Sequence, residues 1–392
     1  MRKKPDNPGK PAFFVIGLAV VALLVVLFAG APPLQAEPYL AVREGLKCDF
    51  CHVNKTGGGK RTAAFAGTAD HFLRSPASKT LVDPAGLLGG RVSLGANLRF
   101  SNRTLFRDEP DARGEVPNGR IFRSAEANDF AFNEGVAYLE ADLIPEMLTF
   151  YVDESFTPGP AVSREVFGLL TGVLPWDIYL KAGRFFPPFG LRIQDDAAFT
   201  RSTTGFNFTN FSEGVELGLS TGPFFLAAAV ANSGSPAGQD TRKQVSANGY
   251  YLKTLGGPVR SVLVGGSAAH NPTTERDAYG LHAGASFWEL TILTEGNLIV
   301  VDTPDRGSIQ GWAYYTEANW LATDRLNVKV AYDYFDPDDE ESDDQRERIS
   351  LGVESFFNKY LQGRLFYRIS NDIPQNLSGN VNELVAEMHL FF

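Results

Sequence analysis

The chain predicts an all-β fold, a transmembrane antiparallel β-barrel of about sixteen strands with a short segment ahead of it. Three observations carry this reading. From residue 87 onward, segment after segment of roughly ten residues alternates apolar and polar side chains, as strands do when one face meets lipid and the other a lumen. Short and long connections alternate between those segments, which separates the two ends of a barrel; a soluble sandwich also alternates but has no reason to sort its loops. Of 392 residues, 12% are aromatic, 39 are glycine and two are cysteine, a composition rich in strand and turn formers and too poor in cysteine for a disulfide scaffold.

Composition excludes other classes. The single long apolar run, residues 13–28, cannot make a polytopic helical protein, since each span needs roughly 20 apolar residues. With 36 Lys+Arg against 46 Asp+Glu the net charge is −10, which argues against nucleic-acid binding and against a polybasic membrane-surface protein.

Residues 1–36 read as an export signal. Arg2, Lys3 and Lys4 precede the apolar run, and Leu34-Gln35-Ala36 offers a cleavage site before Glu37. A retained anchor helix is the other use of so long a run; either way the remainder leaves the cytoplasm.

Residues 37–86 carry both cysteines, in Cys48-Asp49-Phe50-Cys51-His52. This is C-x-x-C-H, the pattern of covalent c-type haem attachment. Two thiols at that spacing each add to a vinyl group, and His52 is tethered as the proximal iron ligand. A zinc site would need a second pair of ligands, and a thioredoxin-like motif a βαβ context; neither is present. One covalent haem c is therefore expected. No methionine among Met1, Met147 and Met388 follows the motif closely, so the distal candidates are histidines. His71, in the same segment, closes the shorter loop, although loop entropy grows slowly with length. His389 competes, because it lies on the polar face of the last strand near the periplasmic mouth, within reach of a haem tethered shortly before the first strand. Gly57-Gly58-Gly59 with Lys60-Arg61 reads as a flexible basic turn along the haem propionates; no strand precedes it, so it is not a phosphate loop.

Residues 87–392 form the barrel. Leu326, Val328, Val330, Tyr332 and Tyr334 share one face against Asn327, Lys329 and Asp333. Ile349, Leu351 and Val353 oppose Arg348, Ser350 and Glu354, and Leu361, Leu365, Tyr367 and Ile369 oppose Gln362, Arg364 and Arg368. The last strand sets Leu384, Ala386, Met388, Leu390 and Phe392 against Glu383, Glu387 and His389; a terminal aromatic is what barrel-assembly machinery reads. Tight links are expected around Pro145, Pro175, Gly222, Gly257, Trp288, Asp324 and Lys359, and long ones at 103–129, 186–211, 232–243, 302–309, 335–345 and 371–380. An even strand count returns the chain to the periplasm, and sixteen strands leave an aqueous lumen. This is a porin architecture in the outer membrane, with the motif-bearing segment on the periplasmic side.

The middle of the chain carries a resemblance. Gly183-Arg184-Phe185-Phe186-Pro187-Pro188-Phe189-Gly190-Leu191-Arg192 and Phe211-Ser212-Glu213-Gly214-Val215-Glu216 resemble the phosphate-selective porin O/P family, over residues 133–232 and more weakly to the C-terminus. The resemblance implies a trimeric anion channel with basic lumen residues. That family has no C-x-x-C-H ahead of its barrel, so this chain looks like a haem-bearing offshoot, and its acidic balance argues against phosphate as the solute. Arg184, Lys329, Arg348, Arg364 and Arg368 fall on lumen faces, where they would line an anion path or pair with acids such as Asp333 and Glu354. The acidic run from Asp336 to Asp344 has no EF-hand spacing and reads as a solvated outer loop. The 186–211 connection would either fold inward and narrow the pore or stand outside it.

No nucleophile–base constellation, Rossmann or P-loop fingerprint is present, so an enzyme is not expected. Two functions from different classes follow. One is a redox or electron-transfer component of the outer membrane, working with periplasmic or outer-membrane multihaem cytochromes, since one haem cannot cross a hydrocarbon layer about 30 Å thick. The other is a diffusion porin for small, anionic solutes, with the haem segment as plug or gate. Outer-membrane lipid and a homotrimer are further implied partners; nucleic acid is not.

Overall fold

The computed structural model describes residues 37–65, 88, 90–106, 125–195, 197–234, 241–323, 326–371 and 380–392. The expected export signal over residues 1–36, His71, the expected link at Asp324 and most of the expected long connections at 103–129 and 371–380 lie outside the described residues.

Sixteen strands follow one another around a closed wall: β1 (Val92–Phe106), β2 (Ala125–Ile144), β3 (Leu148–Thr157), β4 (Val162–Leu170), β5 (Ile178–Phe185), β6 (Ser212–Thr221), β7 (Phe224–Asn232) and β8 (Lys243–Gly256), then β9 (Val259–Asn271), β10 (Arg276–Phe287), β11 (Leu290–Thr303), β12 (Gly307–Thr323), β13 (Leu326–Asp336), β14 (Arg346–Asn358), β15 (Leu361–Asn371) and β16 (Asn382–Phe391). Each pairs antiparallel with its sequence neighbours, and β1 closes on β16 from Asn97 opposite Phe391 to Phe106 opposite Asn382. Closure is the physical requirement: in hydrocarbon an open edge would leave a row of backbone groups without partners.

The faces follow the expected alternation. On β13 Lys329 and Asp333 are buried inside while Val330 is 46% exposed outside. On β14 Arg348, Ser350 and Glu354 point in, with Ile349 and Leu351 out, and on β16 His389 points in and Met388 out. Among the described residues the tight links sit where expected, the 3₁₀ turn Pro175–Asp177 being one of them.

One connection differs. Residues 302–309 were expected as a long loop, but β11 runs to Thr303 and β12 resumes at Gly307. The Arg306 N–H bonds Thr303 Oγ1 at 3.3 Å, Gly307 takes φ 78°, and the Arg306 guanidinium reaches Asp338 at 2.8 Å and Glu341 at 2.9 Å. A polar, proline-bearing stretch looks the same in sequence whether it is a loop or a tight turn between two long strands. The links between β3 and β4 and between β9 and β10 are also short, so loop lengths separate the two ends of this barrel only in part.

Two segments occupy the lumen. The first is residues 37–65. Its helix α1 (Pro38–Glu44) packs against β9, β10 and β11, and Tyr39, Leu40, Val42, Val53 and Phe65 join the buried cluster of the inner wall. Ser220 Oγ donates to Asp49 at 2.5 Å, Ser261 Oγ to the Val42 carbonyl, Lys60 Nζ to Glu140 at 2.7 Å and Lys329 Nζ to Glu37 at 2.7 Å. These wall residues stand at the strand ends nearest the tight links, all around the barrel, so the segment is a plug in that half.

The second is the 186–211 connection, which folds inward. Phe189, Leu191, Ile193 and Ala198 are buried, and α2, the short helix Phe199–Ser202, packs on β11, β12 and β13. The Leu191 N–H meets Glu295 at 2.6 Å and the Gly190 N–H meets Ser267 at 2.8 Å. Asp195 takes Arg348 and Arg368, each at 2.9 Å. Burial opposes the charge on Asp195, yet these guanidiniums hold its carboxyl below the usual carboxylate range.

Candidate functional site

The motif forms α3, the one-turn helix Cys48–Cys51. Its turn is closed by the His52 N–H on the Cys48 carbonyl (3.0 Å), and its first N–H faces the Tyr250 hydroxyl (3.4 Å). One turn puts residues i and i+3 on the same side, and the two thiols are not joined to each other. The chain then reverses: Val53 N–H bonds the Lys60 carbonyl, Thr62 N–H the Cys51 carbonyl, and His52 bridges Arg61. Gly57, Gly58 and Gly59 make that reversal with φ 91°, 79° and 68°.

The turn is docked, contrary to the flexible reading of the Gly-Gly-Gly run. The Lys60 N–H meets Tyr151 Oη at 2.9 Å, and Asn54 donates to Glu165 at 2.8 Å while accepting from Lys181 at 3.1 Å. Arg192 of the inward loop donates to the Gly57 carbonyl at 3.1 Å. A Cβ on Gly59 would lie 2.3 Å from Tyr151 Oη, in a left-handed conformation besides. Gly59→Ala is therefore expected to destabilise plug docking by about 1–3 kcal/mol, seen as earlier proteolysis of the plug; unchanged resistance would show that the reversal is not held against Tyr151.

Around the motif lies a cavity of about 930 Å³. The plug contributes Cys48, Cys51, His52 and Arg61, the inward loop Arg192 and Gln194, and the wall Arg99, Arg103, Arg164, Arg364, Arg368 and His389. Burial pushes the Cys51 thiol up to about 12 and raises that of Cys48, so neither is ionised at neutral pH. Burial, then the Arg61 charge, holds His52 well below the ordinary imidazole range, leaving it the neutral ring that ligates a metal.

The residues fit a haem. Two separate thiols and an imidazole line one cavity. The buried Nε of Arg61 has no hydrogen-bond partner, which suits a ligand bearing carboxylates, and Arg99 stands beside it on the cavity with its Nε 3.2 Å from Glu134. Among the described residues no group of three or more His, Cys, Asp and Glu stands together to hold a bare ion. One side chain has to turn aside: Arg61 Nη1 lies 2.7 and 2.6 Å from the two His52 ring nitrogens, and a neutral imidazole accepts at one of them only.

The five expected lumen cations all have carboxylate partners. Arg184 bonds Glu213 at 2.8 Å; Lys329 bonds Glu37 and lies 3.3 Å from Glu317; Arg348 bonds Asp333 and Asp195; Arg364 bonds Glu387; Arg368 bonds Asp195 and, at 3.1 Å, Glu383. Two of these acids, Glu37 and Asp195, come from the inserted segments, which strand patterning did not reveal. Glu354, expected as such a partner, instead accepts from Asn327 and Gln362.

Glu37 is the plug's anchor, 4% exposed between Lys329 and Arg364. Burial opposes its charge, but the two cations prevail and hold its carboxyl below the usual range. A depressed carboxylate stabilises above its unfolded-state pKa, and the stabilisation is lost as pH falls through the folded value. The plug is therefore expected to stay docked at neutral pH and loosen only in acid, while Glu37→Gln costs on the order of 3 kcal/mol at neutral pH. Limited proteolysis across a pH series would check both; a plug released equally in both proteins at pH 7 would refute the anchor.

No family model and no curated protein matches the chain. Solved structures do match the barrel. A loop-deletion form of OmpT, an outer membrane protein of Vibrio cholerae, aligns with a TM-score of 0.57 and 13% identity over 77% of this chain and 99% of its own. The anion-selective porin of Comamonas acidovorans aligns at 0.53 and 12% identity, over 77% and 99%. OmpF of Salmonella typhi, solved with daunomycin, aligns at 0.52 and 10% identity, over 77% and 97%. The fold is that of the outer-membrane porins. At these identities the likeness concerns architecture alone, and the resemblance to the phosphate-selective family rests on the residues that carry it.

Sequence reasoning named Cys48, Cys51, His52 and His389, and all four line the cavity. It also named Arg61, as part of the basic turn, but missed Arg99, Tyr151 and Tyr250, because nothing local marks a wall residue that meets an inserted plug.

Proposed function

We propose that this protein is an outer-membrane barrel that carries one covalent haem c inside its lumen and serves as a redox component of that membrane. The observation that carries the reading is the C-x-x-C-H set facing a cavity enclosed by a closed, apolar-surfaced barrel. Cys48 and Cys51 would hold the porphyrin and His52 would ligate the iron; when bound, the haem supplies one-electron exchange. Arg61, and Arg99 shared with Glu134, offer charge to its carboxylates. Glu37, Asn54 and Lys60 keep the plug docked through the wall partners Lys329, Glu165 and Glu140. The tight-turn end, by the habit of such barrels, faces the periplasm, where multihaem cytochromes are the partner class, because a single haem cannot span about 30 Å. No enzymatic role is proposed.

A second reading is a porin for small anionic solutes gated by the plug. The arginines on the cavity and the likeness to an anion-selective porin favour it; the carboxylates paired with Arg184, Lys329, Arg348, Arg364 and Arg368, and a lumen filled by two segments, weigh against free diffusion. A homotrimer is retained as the assembly, a trimer form of OmpT being among the similar folds. The resemblance to phosphate-selective porins supports descent from a channel, with the solute changed. The test is purification from outer membranes with a haem stain after denaturing electrophoresis and a reduced-minus-oxidised spectrum. A stained band with a reversible spectrum supports the redox reading; a haem-free barrel refutes it and leaves the gated porin.

A further inference from the structure

We infer that His389, on the barrel wall, is the distal ligand of the haem iron, an assignment that rests on the haem reading above. Sequence distance favoured His71, but closure of the barrel brings His389 to the motif. It is 1% exposed on the inner face of β16, paired in register with Arg99 of β1 and Gln362 of β15, and it lines the same cavity as Cys48, Cys51 and His52. The Phe391 ring links the two imidazoles. The His389 ring lies 5.0 Å from its centroid and the Arg61 guanidinium carbon 5.6 Å, while Arg61 Nη1 stands 2.6 Å from His52 Nε2. Arg61, the side chain that has to turn aside for a porphyrin, thus occupies the space between His52 and the β16 wall.

The ring is oriented in advance. Its Nδ1 meets Gln362 Oε1 at 3.2 Å and its Nε2 meets Asn97 Oδ1 at 2.5 Å. Both amides are themselves turned by carboxylates, Gln362 donating to Glu354 at 3.2 Å and Asn97 to Glu134 at 3.0 Å. Outer partners that fix a histidine's tautomer and direction are what metal-ligating histidines carry. A neutral imidazole donates at one nitrogen only, so one of these two amide oxygens has to give way and leave that nitrogen's lone pair to the metal. Among the described residues that line the cavity, His52 and His389 are the histidines and there is no methionine; Met147 and Met388 face outward, 39% and 40% exposed. Lys329, another nitrogen on the cavity, is held by Glu37 and Glu317. Imidazole or thioether is what completes a c-type iron, and the wall lining this cavity supplies the imidazole of His389; His282, buried on β10, does not line it. The bond would staple the plug to the last strand.

The experiment uses the full-length protein purified from outer membranes, read by haem stain, visible absorption and low-temperature electron paramagnetic resonance. The expected result is a low-spin ferric haem in the wild type and in His71→Ala. His389→Gln, chosen to keep a polar side chain against Asn97 and Gln362, should convert the signal to high-spin with covalent haem retained, and added free imidazole should restore low-spin haem in His389→Ala. Heat-modifiable migration on gels checks that each barrel is folded. A low-spin signal that survives His389→Gln, a high-spin signal in His71→Ala, or a wild-type haem already high-spin overturns the assignment while leaving covalent attachment intact. A wild-type protein without stained haem removes the underlying reading and this one with it.

Discussion

Replacing Cys48 and Cys51 together by alanine is expected to abolish covalent haem while the sixteen-strand barrel still assembles. The barrel's backbone hydrogen bonds run between neighbouring strands, and the ladder closes from β1 to β16 without using the motif. Plug docking does not depend on the thiols either, because its polar anchors are Glu37, Asn54 and Lys60. The loss should be complete in the double variant, since each cysteine supplies one thioether and no other cysteine exists. The measurement is a haem stain after denaturing electrophoresis beside heat-modifiable migration of the unboiled sample. Haem that still migrates with the denatured double variant would refute attachment at this motif. A chain that fails to reach the membrane would show that the haem-bearing plug is part of barrel assembly.

Deleting residues 37–65 behind an intact export signal should raise single-channel conductance several-fold in planar bilayers. Sixteen strands enclose a lumen wide enough for water, and here the plug fills its tight-turn half. The inward 186–211 loop remains after deletion, tied through Asp195 to Arg348 and Arg368 and through Leu191 to Glu295, so the pore should open without reaching the conductance of an empty barrel. Wall residues that lose plug partners, among them Lys181 and Glu165, then meet water, which limits the cost of leaving them unpaired. An unchanged conductance would mean that solutes already pass beside the plug, and would turn the gated-porin reading into an open one.

Much of the wall was legible because lipid enforces it. Alternation placed Lys329, Arg348, Arg364 and His389 inside and Val330, Ile349 and Met388 outside, as found, since a charged side chain on the lipid face is costly at every depth near the midplane. The borders of the 186–211 connection were read to within a residue, from Phe185 to Ser212, because proline and the motif end β5 sharply. The turn at Thr303–Gly307 was misread as a loop, since polar composition does not report length. At that turn Arg306 reaches the acidic run of the neighbouring β13–β14 connection.

Covalent chemistry is local, so the proposed attachment residues stand in five consecutive positions, and the amphipathic wall could be read from its dyad period. Neither kind of signal says what a lumen contains. That Glu37 meets Lys329, that Asp195 meets two arginines, and that His389 shares a cavity with a motif more than three hundred residues before it all follow from closing the ladder and folding two segments into the space enclosed. Such contacts join residues with no fixed spacing, and the interior polar face accepts water as readily as a plug. Their pairing emerges when buried charges have to find opposite charges within that enclosed volume.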